Sequence, residues 1–428
     1  MAATDFARLD QGAEFFSYPA ERFKTTRIDF FLSTLLRPGQ HTRLALIGRL
    51  LERGTRRLPG LQRLNCFLDE LYGASFGVEV EALGDRQILH LGLEVVAPRF
   101  LPGGEDVLAQ GVRFLGEVLA DPETRGGGFR PDYLQQEKKA LAAHIRGLAN
   151  DKGAYAHRRC LEAMGADDPC SLPAHGDPAD FRGIQARSLL TTHRQLLATA
   201  PISVFLSGQP APAIEAELGR ALICWERRPA AAPSRPPPPA PAGAGRELFE
   251  AQELSHGRLV LGYRTGITLA DEEYPALVLF NALLGGDAQS RLFRQLREEA
   301  GLCYHIGTHL EPLCGLLFVE AGIEAGAYRQ VRERIDQQLE ILRQGALLRE
   351  EVEQARRLLE RNLWALDDSC EGMVRFCYQQ QLAGIRLSRA DWHEKLKALG
   401  AEAVARVAAK VRLDTSFFLH PLQDGWRP

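Results

Sequence analysis

An internal repeat is the feature of this sequence that most constrains its fold. Residues 68–76 (Leu-Asp-Glu-Leu-Tyr-Gly-Ala-Ser-Phe) align without a gap with residues 296–304 (Leu-Arg-Glu-Glu-Ala-Gly-Leu-Cys-Tyr), at an offset of 228 residues. At the same offset, the alternating apolar pattern of residues 89–93 falls on residues 317–321. Each copy predicts a helix, a tight glycine turn and a hairpin of two strands, so the chain is predicted to contain a duplicated domain.

A proline-rich segment, residues 228–244, separates the two copies. Four consecutive prolines occupy positions 236–239. Because proline lacks a backbone donor and fixes φ, such a run favours extended polyproline II and acts as a semi-rigid spacer. We therefore predict an N-terminal domain over residues 1–227, an exposed linker, and a C-terminal domain over residues 245–428. Each domain is long enough to bury its own core.

Both halves mix strand and helix patterns, which predicts an α+β fold. Apolar runs and alternation predict strands at 28–32, 89–95, 202–206, 259–263 and 316–319. Apolar stripes with helical spacing are formed by Leu108, Val112, Leu115 and Leu119; by Leu134, Leu141, Ile145 and Leu148; by Val331, Ile335, Leu339 and Leu342; and by Val352, Ala355, Leu359 and Leu363. Each half is therefore expected to be a sheet covered by amphipathic helices.

Composition and charge argue against several classes of partner and compartment. The net charge of −3 gives no electrostatic reason to expect nucleic acid or an anionic membrane as a partner. The first residues lack the basic start and apolar core of a signal peptide, and no apolar run is long enough to span a membrane. Eight scattered cysteines without a Cys-x-x-Cys pair suit reduced thiols better than a disulfide framework. The sequence predicts a cytoplasmic protein.

The most specific motif lies in the second half. Residues 285–293 (Gly-Gly-Asp-Ala-Gln-Ser-Arg-Leu-Phe), followed by the repeat at 296–304, resemble the C-terminal signature of the pitrilysin/insulinase family of zinc peptidases. The first half agrees in outline, with Gly54-Thr55 followed by Leu-Tyr-Gly-Ala at 71–74. The resemblance covers nearly the whole chain. It implies two homologous α/β-roll domains, each a mixed sheet packed by helices, which form a clam-like chamber.

Two further stretches resemble one bacterial branch of this family, which is named for an association with aminopentanol modification of translation elongation factor P. They are residues 67–75 and the later Asn-Asp-Lys at 150–152.

The resemblance also shows what the chain lacks. Active members carry His-x-x-Glu-His on a helix before a Gly-Thr; the two histidines share a face and bind zinc, and the glutamate activates water. Alignment on Gly54-Thr55 puts Ala45, Gly48 and Arg49 at these positions. None of these three residues can bind zinc or activate water, because alanine and glycine have no ligand atom and arginine stays cationic.

The family's third zinc ligand is a glutamate on a downstream helix. Its counterpart is expected within residues 137–144, with His144 at or near the ligand position. Neither His-x-x-Glu-His nor its inversion occurs in the chain. The resemblance therefore implies that this chain binds no cofactor and that zinc belongs to a partner subunit.

Arg297 and Tyr304 match an arginine and a tyrosine that, in the family, reach toward the scissile carbonyl. Both side chains donate hydrogen bonds, as is needed by an oxygen that gains charge when water attacks. A glycine at 301 permits the turn between them. The plain alternative is a solvated helix arginine and a half-buried strand tyrosine.

Gly285, Gly286 and Ser290 are candidate substrate-binding residues of the same signature. The glycine pair is also compatible with a plain helix C-cap, and the two interpretations do not exclude each other. A metal at His305 and His309 is not expected, because residues four apart on a strand are separated by about 13 Å at ~3.3 Å per residue.

Two functions follow from these patterns. The first is a non-catalytic subunit of a heteromeric zinc metalloendopeptidase, which supplies Arg297 and Tyr304 while a homologous partner subunit supplies the His-x-x-Glu-His zinc site and a peptide is the substrate. The alternative is a catalytically silent scaffold or peptide-binding protein of the same fold. An autonomous enzyme of unrelated chemistry finds no nucleophile elbow or nucleotide fingerprint in its support.

Overall fold

A computed structural model describes most of the chain, in two compact units. The described residues are 5–8, 12–102, 106–165, 168–209, 214–223, 227–228 and 245–422. Unit 1 comprises residues 1–146, 172–235 and 369–375, and unit 2 comprises residues 147–171, 236–368 and 376–428. The core of the predicted linker, residues 229–244, lies outside the described residues.

Unit 1 is a mixed sheet covered by helices. Its strands are β1 (Asp5–Arg8), β2 (Ala13–Pro19), β3 (Thr25–Leu35), β4 (Ser75–Leu83), β5 (Arg86–Val96), β6 (Thr124–Arg125), β7 (Gly128–Phe129) and β8 (Ile202–Gly208). Its helices are α1 (Gln40–Leu51), α2 (Gly60–Glu70), α3 (Val107–Ala120), α4 (Pro131–Leu148), α6 (Ala186–Thr199) and α7 (Ile214–Ile223). Six strands form one sheet in the order β1-β2-β8-β3-β5-β4, in which only β2 and β8 pair in parallel.

Unit 2 has the same composition of layers. Its strands are β9 (Arg246–Gln252), β10 (Gly257–Arg264), β11 (Cys303–Glu311), β12 (Leu316–Ile323) and β13 (Arg412–Pro421). Its helices are α5 (Lys152–Met164), α8 (Tyr274–Leu284), a π-helical segment (Phe293–Glu299), α9 (Tyr328–Arg343), α10 (Arg349–Ala365), α12 (Arg389–Lys397) and α13 (Ala401–Ala408); α11 (Cys370–Leu382) begins in unit 1. The strand order is β11-β12-β10-β13-β9, and only β13 and β9 are parallel.

The predicted patterns account for both cores. The strand patterns lie within β3, β5, β8, β10 and β12, and the stripes of α3 and α9 are buried throughout. Ile145 and Leu359 are only partly buried against their cores. Leu148 was expected on the buried stripe of α4, but it is exposed because the helix ends there. The α+β prediction, with mixed sheets packed by helices, is confirmed.

Five strands of each sheet share one topology, as the repeat predicts, and β1 is an additional edge strand of unit 1. In order across the sheets, β4, β5, β3, β8 and β2 of unit 1 correspond to β11, β12, β10, β13 and β9 of unit 2. In each sheet the last two of these strands are parallel. Strands β4 and β11 begin at residues 75 and 303, which is the predicted offset of 228. The offset fails after the turn, because two residues separate β4 from β5 whereas four separate β11 from β12. Leu91 therefore corresponds to Ala321 and not to Val319.

The division into units is not the single cut that the proline-rich segment predicted. Residues 147–171 group with unit 2, and residues 369–375 group with unit 1. The reason for the first is burial: Ala156, Cys160 and Met164 of α5 pack with side chains of β10, β12 and β13.

Two further observations concern the described chain as a whole. Cys160, Cys303 and Cys314 are buried free thiols. Within the described ranges, no helix combines the length and the apolar character that crossing a bilayer requires.

Candidate functional site

Arg297 and Tyr304 lie on one continuous segment of unit 2. Arg297 is in the π-helical segment, and its guanidinium lies 4.6 Å from the ring centroid of Phe293. The backbone then turns at Gly301, whose φ of +62° is readily adopted only by glycine. Tyr304 is the second residue of β11. The local order of helix, glycine turn and strand is as predicted.

A β-bulge sets the direction of Tyr304. The pairing of β11 with β12 shifts between Cys303, which lies opposite Ile323, and His305, which lies opposite Gly322. Tyr304 is the extra residue of this bulge, and a bulge re-aims the side chain that it carries. The tyrosine is 53% exposed as a result. Its counterpart in unit 1, Phe76, sits in regular pairing and packs 5.0 Å from the ring of Phe114.

The hydroxyl of Tyr304 is already engaged within the chain. It donates a hydrogen bond to Oε1 of Glu324, and the same oxygen lies 3.3 Å from Nδ1 of His256. The ring of His256 is 4.3 Å from the ring of Tyr304. The bond to Glu324 raises the pKa of Tyr304, and it also lowers the pKa of Glu324. The phenol is therefore held protonated, as a hydrogen-bond donor.

Sequence reasoning missed Glu324 and His256. Glu324 directly follows β12 and His256 directly precedes β10, and these two strands pair with Gly257 opposite Ile323. A strand pairing between residues so far apart in sequence has no local signal.

Arg297 is exposed, and among the described residues it has no salt-bridge partner. Its guanidinium and the exposed phenol of Tyr304 are both donors at the surface of unit 2. Each of the two groups is chemically able to donate a hydrogen bond to an oxygen that carries negative charge.

The other candidate residues of the signature differ in their surroundings. Gly285 is buried and caps α8, and its carbonyl accepts a hydrogen bond from the amide of Thr308, at 3.0 Å. A Cβ on Gly285 would lie 2.5 Å from Thr308 Cγ2, so this glycine allows α8 to approach β11 closely. Gly286 is exposed, and a Cβ there would lie 2.9 Å from Cα of Ala282 on α8 itself. Ser290 is buried and donates its hydroxyl to the carbonyl of Asp287, at 2.5 Å.

In unit 1, an ion pair lies where the family resemblance implies zinc. Ala45, Gly48 and Arg49 are on α1, as predicted. Arg49 Nε donates to Glu137 Oε2 at 2.7 Å, and Arg53 Nε donates to Glu137 Oε1 at 2.6 Å. The buried carboxylate of Glu137 therefore has two arginines as partners, and these positions cannot take a cation in addition.

Two details correct the sequence interpretation of this region. The residue of α4 that meets Arg49 is Glu137 and not His144, which instead lies 4.8 Å from the ring of His175. Gly48 is buried, and a Cβ there would lie 2.6 Å from Val80 Cγ2 of β4. A glutamate at this position would collide with the sheet.

Comparisons with known proteins agree with this geometry. Residues 183–359 match the family model described as the peptidase M16 inactive domain. The chain is 29% identical over 407 residues to the probable inactive metalloprotease YmfF of Bacillus subtilis (strain 168), and the match covers 93% of each chain. The solved structure of a conserved protein from Enterococcus faecalis V583 has a TM-score of 0.89 and 27% identity, over 98% of this chain and 99% of that one.

A second solved structure shows the fold alone. A peptidase M16 inactive domain from Pseudomonas fluorescens has a TM-score of 0.81 at 18% identity and covers 100% of both chains.

Residues 183–359 thus resemble the peptidase M16 inactive domain, and nearly the whole chain is similar to the probable inactive metalloprotease YmfF. At the positions where this resemblance implies zinc ligands, the chain carries Ala45, Gly48 and Arg49 on α1, which cannot bind the metal.

Proposed function

We propose that this chain is the non-catalytic subunit of a heteromeric zinc metalloendopeptidase. In this proposal, Arg297 and Tyr304 act on a peptide substrate whose scissile bond is held at the zinc site of a homologous partner subunit. The observation that carries the proposal is the outward-facing Tyr304, which a β-bulge exposes although its counterpart Phe76 is packed inward.

The proposed chemistry follows from the two donors. When water adds to a peptide carbonyl, the oxygen gains negative charge, and hydrogen bonds aimed at that oxygen lower the barrier. Arg297 supplies a permanent cation, and Tyr304 supplies a neutral donor. Since Tyr304 donates to Glu324 in the unbound chain, substrate binding must redirect its hydroxyl from that carboxylate. The metal and the water-activating carboxylate belong to the partner, because Ala45, Gly48 and Arg49 cannot provide them.

Gly285 supports the site indirectly in this proposal: by letting α8 approach β11 closely, it fixes the strand that carries Tyr304. That Gly286 and Ser290 bind substrate stays a prediction.

The alternative is a catalytically silent scaffold or peptide-binding protein. The hydrogen bond from Tyr304 to Glu324 favours this alternative, because it gives the tyrosine a role within the chain that requires no substrate.

We also propose a place within the family. The sequences at 67–75 and 150–152 support kinship with the branch that is named for an association with aminopentanol modification of elongation factor P.

Reconstitution tests the proposed function. The chain is mixed with a homologous zinc-bearing subunit encoded in the same genome, and hydrolysis of a quenched-fluorescence peptide library is followed. The proposal expects activity in the mixture that neither subunit shows alone. Stable 1:1 complexes without any gain in hydrolysis would contradict it and favour the scaffold.

A further inference from the structure

A cluster of metal-ligating side chains lies in unit 2, away from Arg297 and Tyr304 in their surface segment. It consists of His157 on α5, His309 on β11 and Glu320 on β12. In the described part of the chain, this is the one group of three or more His, Cys, Asp or Glu side chains whose ligand atoms converge. Neither the zinc motif nor the proposed transition-state role uses any of the three.

The strand register brings two of the ligands together. His309 lies opposite Phe318, and Gly307 lies opposite Glu320. Directly paired residues project to the same face, so His309 and Glu320 are diagonal neighbours, within reach of long side chains. Residue 307 is a glycine, so no side chain from β11 separates His309 from Glu320. Along the single strand β11, His305 and His309 are too far apart to share an ion, whereas the pairing of β11 with β12 brings His309 next to Glu320.

Helix α5 supplies the third ligand. Nδ1 of His157 lies 2.8 Å from Glu320 Oε1, and Nδ1 of His309 lies 3.9 Å from the same oxygen. The ligand atoms of all three residues lie within 4.8 Å of one another. In a tetrahedral zinc site with bonds of ~2.1 Å, two ligand atoms lie about 3.4 Å apart. Side-chain shifts of about an ångström would therefore close the site.

The two imidazoles are held in place by packing. Phe318 is fully buried, and its ring lies 4.4 Å from the ring of His157 and 5.3 Å from that of His309, on which it stacks. The hydrophobic cluster beneath α5 includes Phe318 and Cys160. Ligands that are oriented in advance lose less conformational freedom when a metal binds.

We propose that His157, His309 and Glu320 bind one divalent transition-metal ion, with zinc the best match. Two imidazoles and one carboxylate are a recurrent zinc ligand set, and three protein ligands leave a fourth position for water. Such an ion would join α5 to the β11–β12 hairpin. It is separate from the zinc of the family's active members, whose positions are on α1 and α4 here, and it does not depend on the proposed function.

Zinc titration of the full-length chain tests the site. Isothermal titration calorimetry is done with ZnCl₂ on metal-free protein in a Cys66→Ser background, since Cys66 is an exposed thiol that could bind zinc by itself. We expect one ion per chain, bound at least tenfold more weakly by His157→Gln and by His309→Gln. The matched control is His393→Gln, because His393 lies 3.6 Å from Glu360 but has no second histidine in a converging group among the described residues.

A carboxylate variant makes the test independent of folding defects. Glu320→Gln can keep a hydrogen bond with His157 but loses the charged ligand, and circular dichroism checks its fold. A loss of zinc binding in folded Glu320→Gln supports the site. The site is refuted if the parent protein binds no zinc. It is also refuted if the affinity for zinc is unchanged in His157→Gln, His309→Gln and Glu320→Gln.

Discussion

Nε of Arg49 lies 2.7 Å from Oε2 of Glu137, so an arginine and a glutamate face each other where the family resemblance implies zinc. This pair accounts for the burial of the Glu137 side chain. A buried carboxylate without a counter-charge is strongly unfavourable. The guanidinium groups of Arg49 and Arg53 supply that charge.

Restoring the motif should fail at Gly48. Gly48→Glu is expected to lower the free energy of unfolding of unit 1 by about 1–3 kcal/mol, because a side chain there overlaps Val80. The matched control is Gly219→Glu on α7 of unit 1, where a Cβ would meet nothing within 4 Å. Urea denaturation measures both. A triple variant that combines Ala45→His, Gly48→Glu and Arg49→His would contradict this account if it were as stable as the parent and cleaved peptides alone.

Tyr304→Phe should turn over substrate much more slowly in the reconstituted complex yet assemble normally. The ring and its packing remain, but the donor is gone, and losing one such donor lowers kcat about 10²–10³-fold elsewhere. Steady-state kinetics on a verified 1:1 complex measures the effect. Phe76→Tyr in unit 1 is the control, and it should leave kcat unchanged because residue 76 packs inward. If Tyr304→Phe keeps the kcat of the parent, the catalytic role of Tyr304 is refuted and the scaffold function is favoured.

Glu324 should control the acidity of Tyr304. Because the carboxylate accepts the phenolic proton in a hydrogen bond, it raises the pKa of Tyr304. Glu324→Ala should therefore bring that pKa back toward the usual value near ~10 for tyrosine. NMR titration of ¹³Cζ-labelled tyrosine, with Tyr304→Phe for assignment, reports the shift. Glu299→Ala, an exposed carboxylate nearby in sequence, is the control, and an equal shift in that variant would refute a specific bond.

His193 should make unit 1 less stable in mild acid. It is almost fully buried, and burial, followed by the charge of Arg194, lowers its pKa to about 4. As the pH falls, His193 therefore becomes protonated near pH 6.5 in the unfolded chain but only near pH 4 in the folded chain. Stability is thus fully present above about pH 6.5 and falls toward pH 4, by about 2 kcal/mol at pH 5 and about 3 kcal/mol in total.

His193→Leu should remove this pH dependence. Urea midpoints at pH 7.5 and 5.0 give the comparison, and the exposed His144→Gln should behave like the parent. If the parent and His193→Leu lose equal stability between these two pH values, His193 is not responsible.

Local patterns predicted local structure well in this chain. The helix, the turn at Gly301 and the strand that carries Tyr304 all lie within one short segment, and the structure has them in the predicted order. The partners of these residues could not be predicted in the same way. Glu324 reaches Tyr304 through the β11–β12 hairpin, and His157 reaches Glu320 from a helix that is 163 residues away in sequence. Such contacts depend on strand register and on helix packing, which apolar periodicity does not encode.

The hairpin length shows the same limit on a small scale. The sequence repeat predicts the start of β11, but the two additional residues in its turn shift the correspondence between β5 and β12 by two positions. An even shift keeps each side chain on its face, so the apolar pattern alone could not reveal it.

Gly48 also bears on which substitutions this chain can accept. Because the glycine lets α1 and Val80 of β4 pack closely, a glutamate at this position requires a second change in the sheet. Intermediates with only one of these changes would be less stable than either end point, and Arg49 would have to be replaced as well. Single substitutions therefore cannot create His-x-x-Glu-His on α1 without a loss of stability.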